Sequence, residues 1–108
     1  MPELLFAVRW PDGTAQRCYS PSLVIRDHLA VGRSYPVADF VGRARTALLI
    51  ASERVRAKYG MACTSALAQL DQIERTAARF PAGSVTVTAF FEASDEASSF
   101  EEVTSDAQ

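Results

Sequence analysis

One histidine, two cysteines and a handful of phenols are the groups in this chain with the chemistry for catalysis. His28 sits in Arg26-Asp27-His28, Cys18 lies between Arg17 and Tyr19, and Cys63 follows 45 positions later. A histidine acts as a general base only where the fold brings a nucleophile within hydrogen-bond reach. Asp27 cannot orient it inside a helix, because neighbouring residues diverge by about 100° around the axis. Cys63, near the start of a predicted helix, is the cysteine whose thiol a helix dipole would acidify. The plainer reading is a surface or capping histidine and two small buried cysteines. Neither cysteine has a CxxC partner or a neighbouring histidine, and GxGxxG, Walker, HExxH and GxSxG patterns are all missing. No metal and no cofactor are therefore expected. The arrangement that keeps an enzyme or a metabolite-binding protein open is a pocket in which Trp10, Cys18, Tyr19, His28 and Tyr35 converge.

Whether they converge depends on the elements that carry them. Leu4 to Trp10 alternates apolar and polar residues, meets the turn Pro11-Asp12-Gly13, and returns as Thr14 to Ser20. This is a hairpin signal: proline presets a turn torsion, aspartate bonds its own backbone, and glycine accepts a positive φ. Ser20-Pro21-Ser22 offers a capping hydroxyl and a first-turn proline for a short helix to about Leu29. Pro36 then opens a long helix whose stripe of Val37, Phe40, Val41, Ala44, Ala47, Leu48, Ala51 and Val55 runs to a stop at Gly60, about 34 Å of chain. A second long helix, about Ala62 to Arg79, repeats the period with Ala66, Leu70, Ile73, Ala77 and Phe80. Pro81-Ala82-Gly83 ends it, and Ser84 to Phe91 alternates as a third strand. The expected fold is α+β, a two-layer sandwich in ββααβ order: a three-stranded sheet, ordered 2-1-3, under a helical hairpin.

Charge divides the chain sharply. Through Phe91 eleven Arg and Lys face seven Asp and Glu, whereas Glu92 to Gln108 holds six acids and no base. That tail has two sizeable apolar residues, Phe100 and Val103, too few to offset the entropy of ordering it. Residues 1–91 are thus expected to form one domain and 92–108 a disordered acidic tail, with a partner motif around Phe100 or a shield over the domain's basic face as its functional alternatives. No apolar run approaches the roughly 20 residues that span a bilayer, no secretory segment begins the chain, and the unpaired cysteines suit a reducing cytoplasm. Nucleic acid is not an expected partner, since no basic run tracks a strand face and no aromatic platform appears.

A protein partner is expected for two reasons. With Leu4, Phe6, Val8, Val85 and Val87 turned to the helices, Leu5, Ala7 and Phe90 are left on the bare side of a sheet with two open edges, an arrangement that favours a homodimer or docking onto another protein. On the long helix, Arg43 and Arg54 flank one shoulder of the core stripe and Arg45 and Arg56 the other, with Leu49 pointing outward. Arg45, Leu49 and Arg56 form the candidate contact surface. The alternative is that these arginines pair with Asp39, Glu53 or the facing helix.

The segments Val8-Arg9-Trp10-Pro11-Asp12-Gly13, Arg17-Cys18-Tyr19-Ser20-Pro21-Ser22, Tyr35-Pro36-Val37-Ala38-Asp39-Phe40 and Ala51 to Gly60 together give a resemblance. The chain resembles the small bacterial nitrogen-starvation response proteins, over roughly Met1 to Phe91. The resemblance implies a gene cluster shared with a nitrilase, a radical-SAM protein, an acetyltransferase-like protein and a flavin-dependent oxidoreductase, with nitrogen metabolism as the setting. It carries no catalytic or binding residues onto this chain. Two readings follow: a non-catalytic accessory protein that docks onto an enzyme of the cluster, or a small enzyme or metabolite-binding protein using the pocket named above.

Overall fold

Strands β1 (Leu4–Arg9) and β2 (Ala15–Ser20) pair antiparallel, from Leu4 opposite Ser20 to Arg9 opposite Ala15. Their turn is closed by the Trp10 N–H donating to the Thr14 carbonyl and the Gly13 N–H to the Trp10 carbonyl, each at 2.8 Å, with Gly13 at φ 89°. Asp12 accepts from the Thr14 N–H at 3.0 Å and from the Thr14 hydroxyl. Those bonds favour its ionised form and hold its carboxyl below the ordinary carboxylate value. The computed structural model describes residues 3–61 and 64–92. The expectations for Cys63 and for the tail beyond Glu92 lie outside the described residues.

After β2 the chain makes a short 3-10 helix, Leu23–Asp27, rather than the longer α-helical turn expected to Leu29. Its cap is Ser22, whose hydroxyl accepts from the Val24 N–H, so Pro21 stands before the cap and not at the first helical position. Next comes an element that the hydrophobic period does not announce: strand β3 (Ser34–Pro36). The residue before a proline is driven to extended backbone, and Tyr35 takes that conformation beside Val85 while Ser34 pairs with Thr86. Proline is tolerated there because β3 is an edge strand. Helix α1 (Val37–Tyr59) starts directly from Pro36 and ends at Gly60, which has φ 83° and donates its N–H to the Arg56 carbonyl at 2.7 Å. Helix α2 (Thr64–Ala77) returns, and β4 (Ser84–Glu92) follows it.

The sheet is antiparallel in order β2-β1-β4-β3. The expected three strands keep their order, with β3 added outside β4. Both helices cover one face of the sheet. Leu4, Phe6, Val8, Val85 and Val87 point inward from the strands and are buried together with Phe40, Ala44, Ala47, Leu48 and Ala51 of α1 and Ala66, Leu70 and Ile73 of α2. The alanines along α1 allow close approach of its backbone to the layer beneath, as dense packing requires. Trp10 closes one end of this core, edge-on to Phe40 at 5.6 Å and stacked on Phe80 at 5.8 Å.

One side chain lands on the other side from that expected. The register between β1 and β4 slips between Ala7 and Val8, so that Val8 pairs with Val87 but Ala7 pairs with Ala89. Thr88 is the extra residue, and its hydroxyl donates to the Ala7 carbonyl at 3.2 Å. A bulge of this kind inverts the alternation beyond it. Phe90 therefore stands opposite Phe6 and packs against the core, and Phe91, opposite Leu5, takes the bare face.

Candidate functional site

The bare face of the sheet is built by three rows. Leu5 lies between Tyr19 and Phe91, Ala7 between Arg17 and Ala89, and Arg9 between Ala15 and Thr86. No helix among the described residues packs on these rows. Leu5, Ala7, Ala89 and Phe91 are half-buried. The Arg17 guanidinium lies 5.7 Å from the centre of the Phe91 ring, and the Tyr19 hydroxyl donates to Glu3 at 3.0 Å. An apolar row is thus rimmed by cation and carboxylate, the mixture that suits a contact surface better than a reaction centre. At the rim of β2, the outward N–H of Tyr19 is taken by the Gln69 side-chain oxygen at 3.0 Å.

The helical surface is arranged differently. Arg45 forms an ion pair with Glu74 of α2 at 2.6 Å, Arg43 pairs with Asp39 at 2.9 Å, and Arg56 pairs with Glu53 one turn away. The pairing raises the Arg56 pKa and lowers that of Glu53. Arg54 donates to the Ser22 hydroxyl at 3.3 Å. Leu49 is exposed, as is Leu67 on α2. The candidate surface of Arg45, Leu49 and Arg56 therefore keeps its outward leucine while both arginines already hold carboxylates of their own chain.

The five candidate pocket residues do not share a cleft. Trp10, Cys18 and Tyr35 are buried in the core, His28 is half-buried, and Tyr19 lies on the opposite face of the sheet from Cys18. Each polar tip of the buried rings is occupied locally: Trp10 Nε1 donates to Gln16 Oε1 at 2.7 Å, and the Tyr35 hydroxyl accepts from the Ala30 N–H at 2.9 Å. Arg43 links two of the five, stacking 4.8 Å over the Tyr35 ring and donating to the His28 carbonyl at 3.1 Å. That contact uses the histidine's backbone and leaves its imidazole out. Burial pushes the Cys18 thiol up to about 12, which withholds the thiolate a nucleophile needs.

An open hollow of about 600 Å³ lies elsewhere, between the start of α1 and the end of α2, with Val37, Val41, Arg45, Phe80 and Gly83 on its walls. None of the five residues lines it. No cluster of three metal-ligating side chains is present among the described residues, and no described helix is long and apolar enough to cross a membrane.

Reading the residues did not find Phe91 and Ala89 as part of the bare face. The adjacent Phe90-Phe91 pair was the available sign, since perfect alternation cannot give both rings an equal environment, but nothing in the residue types locates the bulge at Thr88.

The fold and its face define a class: a small two-layer α+β domain with an antiparallel sheet sheltered on one side by a helical hairpin and, among the described residues, bare on the other. Within that class the chain belongs to the family described as nitrogen starvation-induced protein NitG, whose sequence model matches residues 5–90. The matched span runs from β1 to the penultimate part of β4 and takes in both helices. No curated protein and no solved structure matches the chain.

Proposed function

We propose that this nitrogen starvation-induced protein is a non-catalytic accessory protein of the bacterial cytoplasm, docking through the bare sheet face onto an enzyme encoded in its own gene cluster, such as the nitrilase or the flavin-dependent oxidoreductase. The observation that carries the reading is the row of Tyr19, Leu5 and Phe91, in which apolar side chains stand on a sheet surface with no covering layer among the described residues. Exposed apolar surface rimmed by polar groups is the usual mark of a protein-binding site. The side chains most able to do chemistry support the same reading by their positions: Cys18 is sealed in the core, and Trp10 and Tyr35 hold the fold together.

The test is direct association of the purified chain with each cluster enzyme, comparing Leu5→Asp with Leu49→Asp. Docking through the sheet predicts that Leu5→Asp abolishes binding while Leu49→Asp retains it, with both variants still folded by circular dichroism. The reverse pattern would move the contact to the helical hairpin. If the wild-type chain neither binds any of these enzymes nor alters their rates, the proposal fails.

A further inference from the structure

The outer edges of the sheet are not finished alike. On β2 the outward Tyr19 N–H is taken by Gln69, and β3 carries Pro36, which has no N–H to offer. β4 is nine residues long, and β3 pairs only with Ser84 to Thr86. Val87 is the last residue closed on that side, donating its N–H to the Arg33 carbonyl at 3.1 Å and accepting from the Gly32 N–H at 2.7 Å. From Thr88 to Glu92 no described strand lies beside β4 on the flank away from β1.

The ladder sets the direction of each backbone group along this stretch. The Trp10 N–H donates to the Thr14 carbonyl, so Val8, Phe6 and Leu4 also turn their N–H and C=O groups toward β2, and Arg9, Ala7 and Leu5 turn theirs toward β4. Ala89 and Phe91, opposite Ala7 and Leu5, direct theirs at β1. Phe90 and Glu92 therefore point theirs the other way, into the open flank. Donors and acceptors at this spacing are satisfied by an extended strand. Apart from the bulge at Thr88, the stretch lacks the usual guards of an exposed edge, since no residue from Phe80 to Phe91 is charged and none from Ser84 onward is proline. Val31, next to Gly32 where the pairing with β4 stops, is an exposed apolar residue.

We infer that this flank is where two copies of the chain join, Thr88 to Glu92 of one pairing antiparallel with Thr88 to Glu92 of the other about a two-fold axis at Phe90. A two-fold axis brings a strand edge antiparallel to itself, because residue i meets j wherever j meets i. Each Phe90 then exchanges N–H and C=O bonds with the other, and Glu92 of each copy lies beside Thr88 of its partner. The uncharged middle of the segment sets no like charges against each other, and the two Glu92 residues stand at opposite ends. Five residues also fill the slot, whose closed end is Gly32 and Arg33 at Val87. The joined sheet is six strands wide, β2-β1-β4 from each copy, with both bare faces on one side and both helical hairpins on the other. The flank and the bare face are different surfaces, so the join is independent of the docking reading above.

Sedimentation equilibrium of the full chain, from about 10 μM to about 1 mM, tests the join. A short backbone pairing is a small and weak interface, so the mass should rise from one copy to two within this range and stop there. Amide hydrogen exchange over the same series identifies the edge: Phe90 and Glu92 should slow at least about tenfold on concentration, while Ala89 and Phe91 are slow throughout. Glu92→Pro removes an outward N–H that β1 does not use, and Val31→Asp puts a charge at the rim; each should weaken dimerisation about tenfold or more. Leu5→Asp on the bare face and Leu49→Asp on the helical hairpin should leave it unchanged. A single-copy mass at every concentration overturns the inference. So does a dimer that Leu5→Asp dissolves, a dimer in which the Phe90 amide exchanges as fast as in the single copy, or a mass that grows past two copies. Should Glu92→Pro fail to fold, the exchange pattern of the wild-type chain decides.

Discussion

The two faces of the sheet are made from the same four strands, yet they solve different problems. On the inner face every second residue of β1 is buried: Leu4, Phe6 and Val8 have relative exposures of 1%, 0% and 0%. On the outer face the intervening Leu5 and Ala7 are half-buried, and the packing around them comes from Arg17, Tyr19 and Phe91 lying beside them. Stability therefore resides on one side of a layer only a single backbone thick. The other side has no helix over it among the described residues, and truncation there should cost the domain little.

The contrast is broken most directly by truncating each face in turn. Phe6→Ala should cost about 3–5 kcal/mol, because a fully buried ring leaves a cavity that its neighbours cannot fill. Leu5→Ala should cost about 1 kcal/mol or less. Urea unfolding of the two variants measures the difference, and equal losses would mean that the outer face is as firmly packed as the inner one.

Gly83→Ala comes next. It tests whether the turn leading into β4 is as constrained as the core: Gly83 has φ 104°, and an added Cβ would sit 2.8 Å from Cβ of Pro11. A proline ring cannot rotate away, so the expected loss is roughly 2 kcal/mol, read as a lower melting temperature.

Adjacent residues of β2 sharpen the comparison by their response to pH. Cys18 faces inward with its thiol raised from 9.0 to about 12 by burial. A folded-state value above the unfolded one contributes stability that is fully present below about pH 9 and is lost as pH rises toward 12, since the unfolded chain gives up its proton first. Urea midpoints measured at increasing alkaline pH should fall for the wild type and fall less for Cys18→Ala. The native thiol should also resist alkylation at neutral pH.

The smallest effect belongs to the helical surface. Arg45→Ala removes the ion pair to Glu74, and an exposed pair of this kind is worth about 0.2–1 kcal/mol, less as salt is raised. A loss well above that range would show that Arg45 also supports the wall of the adjoining hollow.

Much of this architecture was legible because local signals agreed with one another. Pro11-Asp12-Gly13, the stripe from Val37 to Val55 and the stop at Gly60 each have a backbone reason, and the structure places a turn, a helix and a left-handed cap there. Ser34-Tyr35-Pro36 was harder. Proline suits both a helix start and an edge strand, and only the position of β4 alongside decides for the strand. The inner residues of the sheet followed from alternation up to Val87 and failed at Thr88, since a bulge is a relation between two strands and not a property of one. Of the candidate site residues, Leu5 and Ala7 stand where alternation placed them and Phe90 does not. The grouping of Trp10, Cys18, Tyr19, His28 and Tyr35 failed for a plainer reason: chemically capable side chains on one hairpin and its neighbours need not share a cleft, and here the sheet sets Tyr19 apart while Trp10, Cys18 and Tyr35 are packed into the core.

Thr88 has one more effect, on how this strand can change over time. Loss of that single codon would put β4 back in step with β1 and remove the bulge while leaving Phe90 opposite Phe6 and Phe91 opposite Leu5. The same two rings would be exchanged between the faces only if Thr88 were kept and drawn into regular pairing with Ala7, so the spacer's unpaired position decides which ring the core receives.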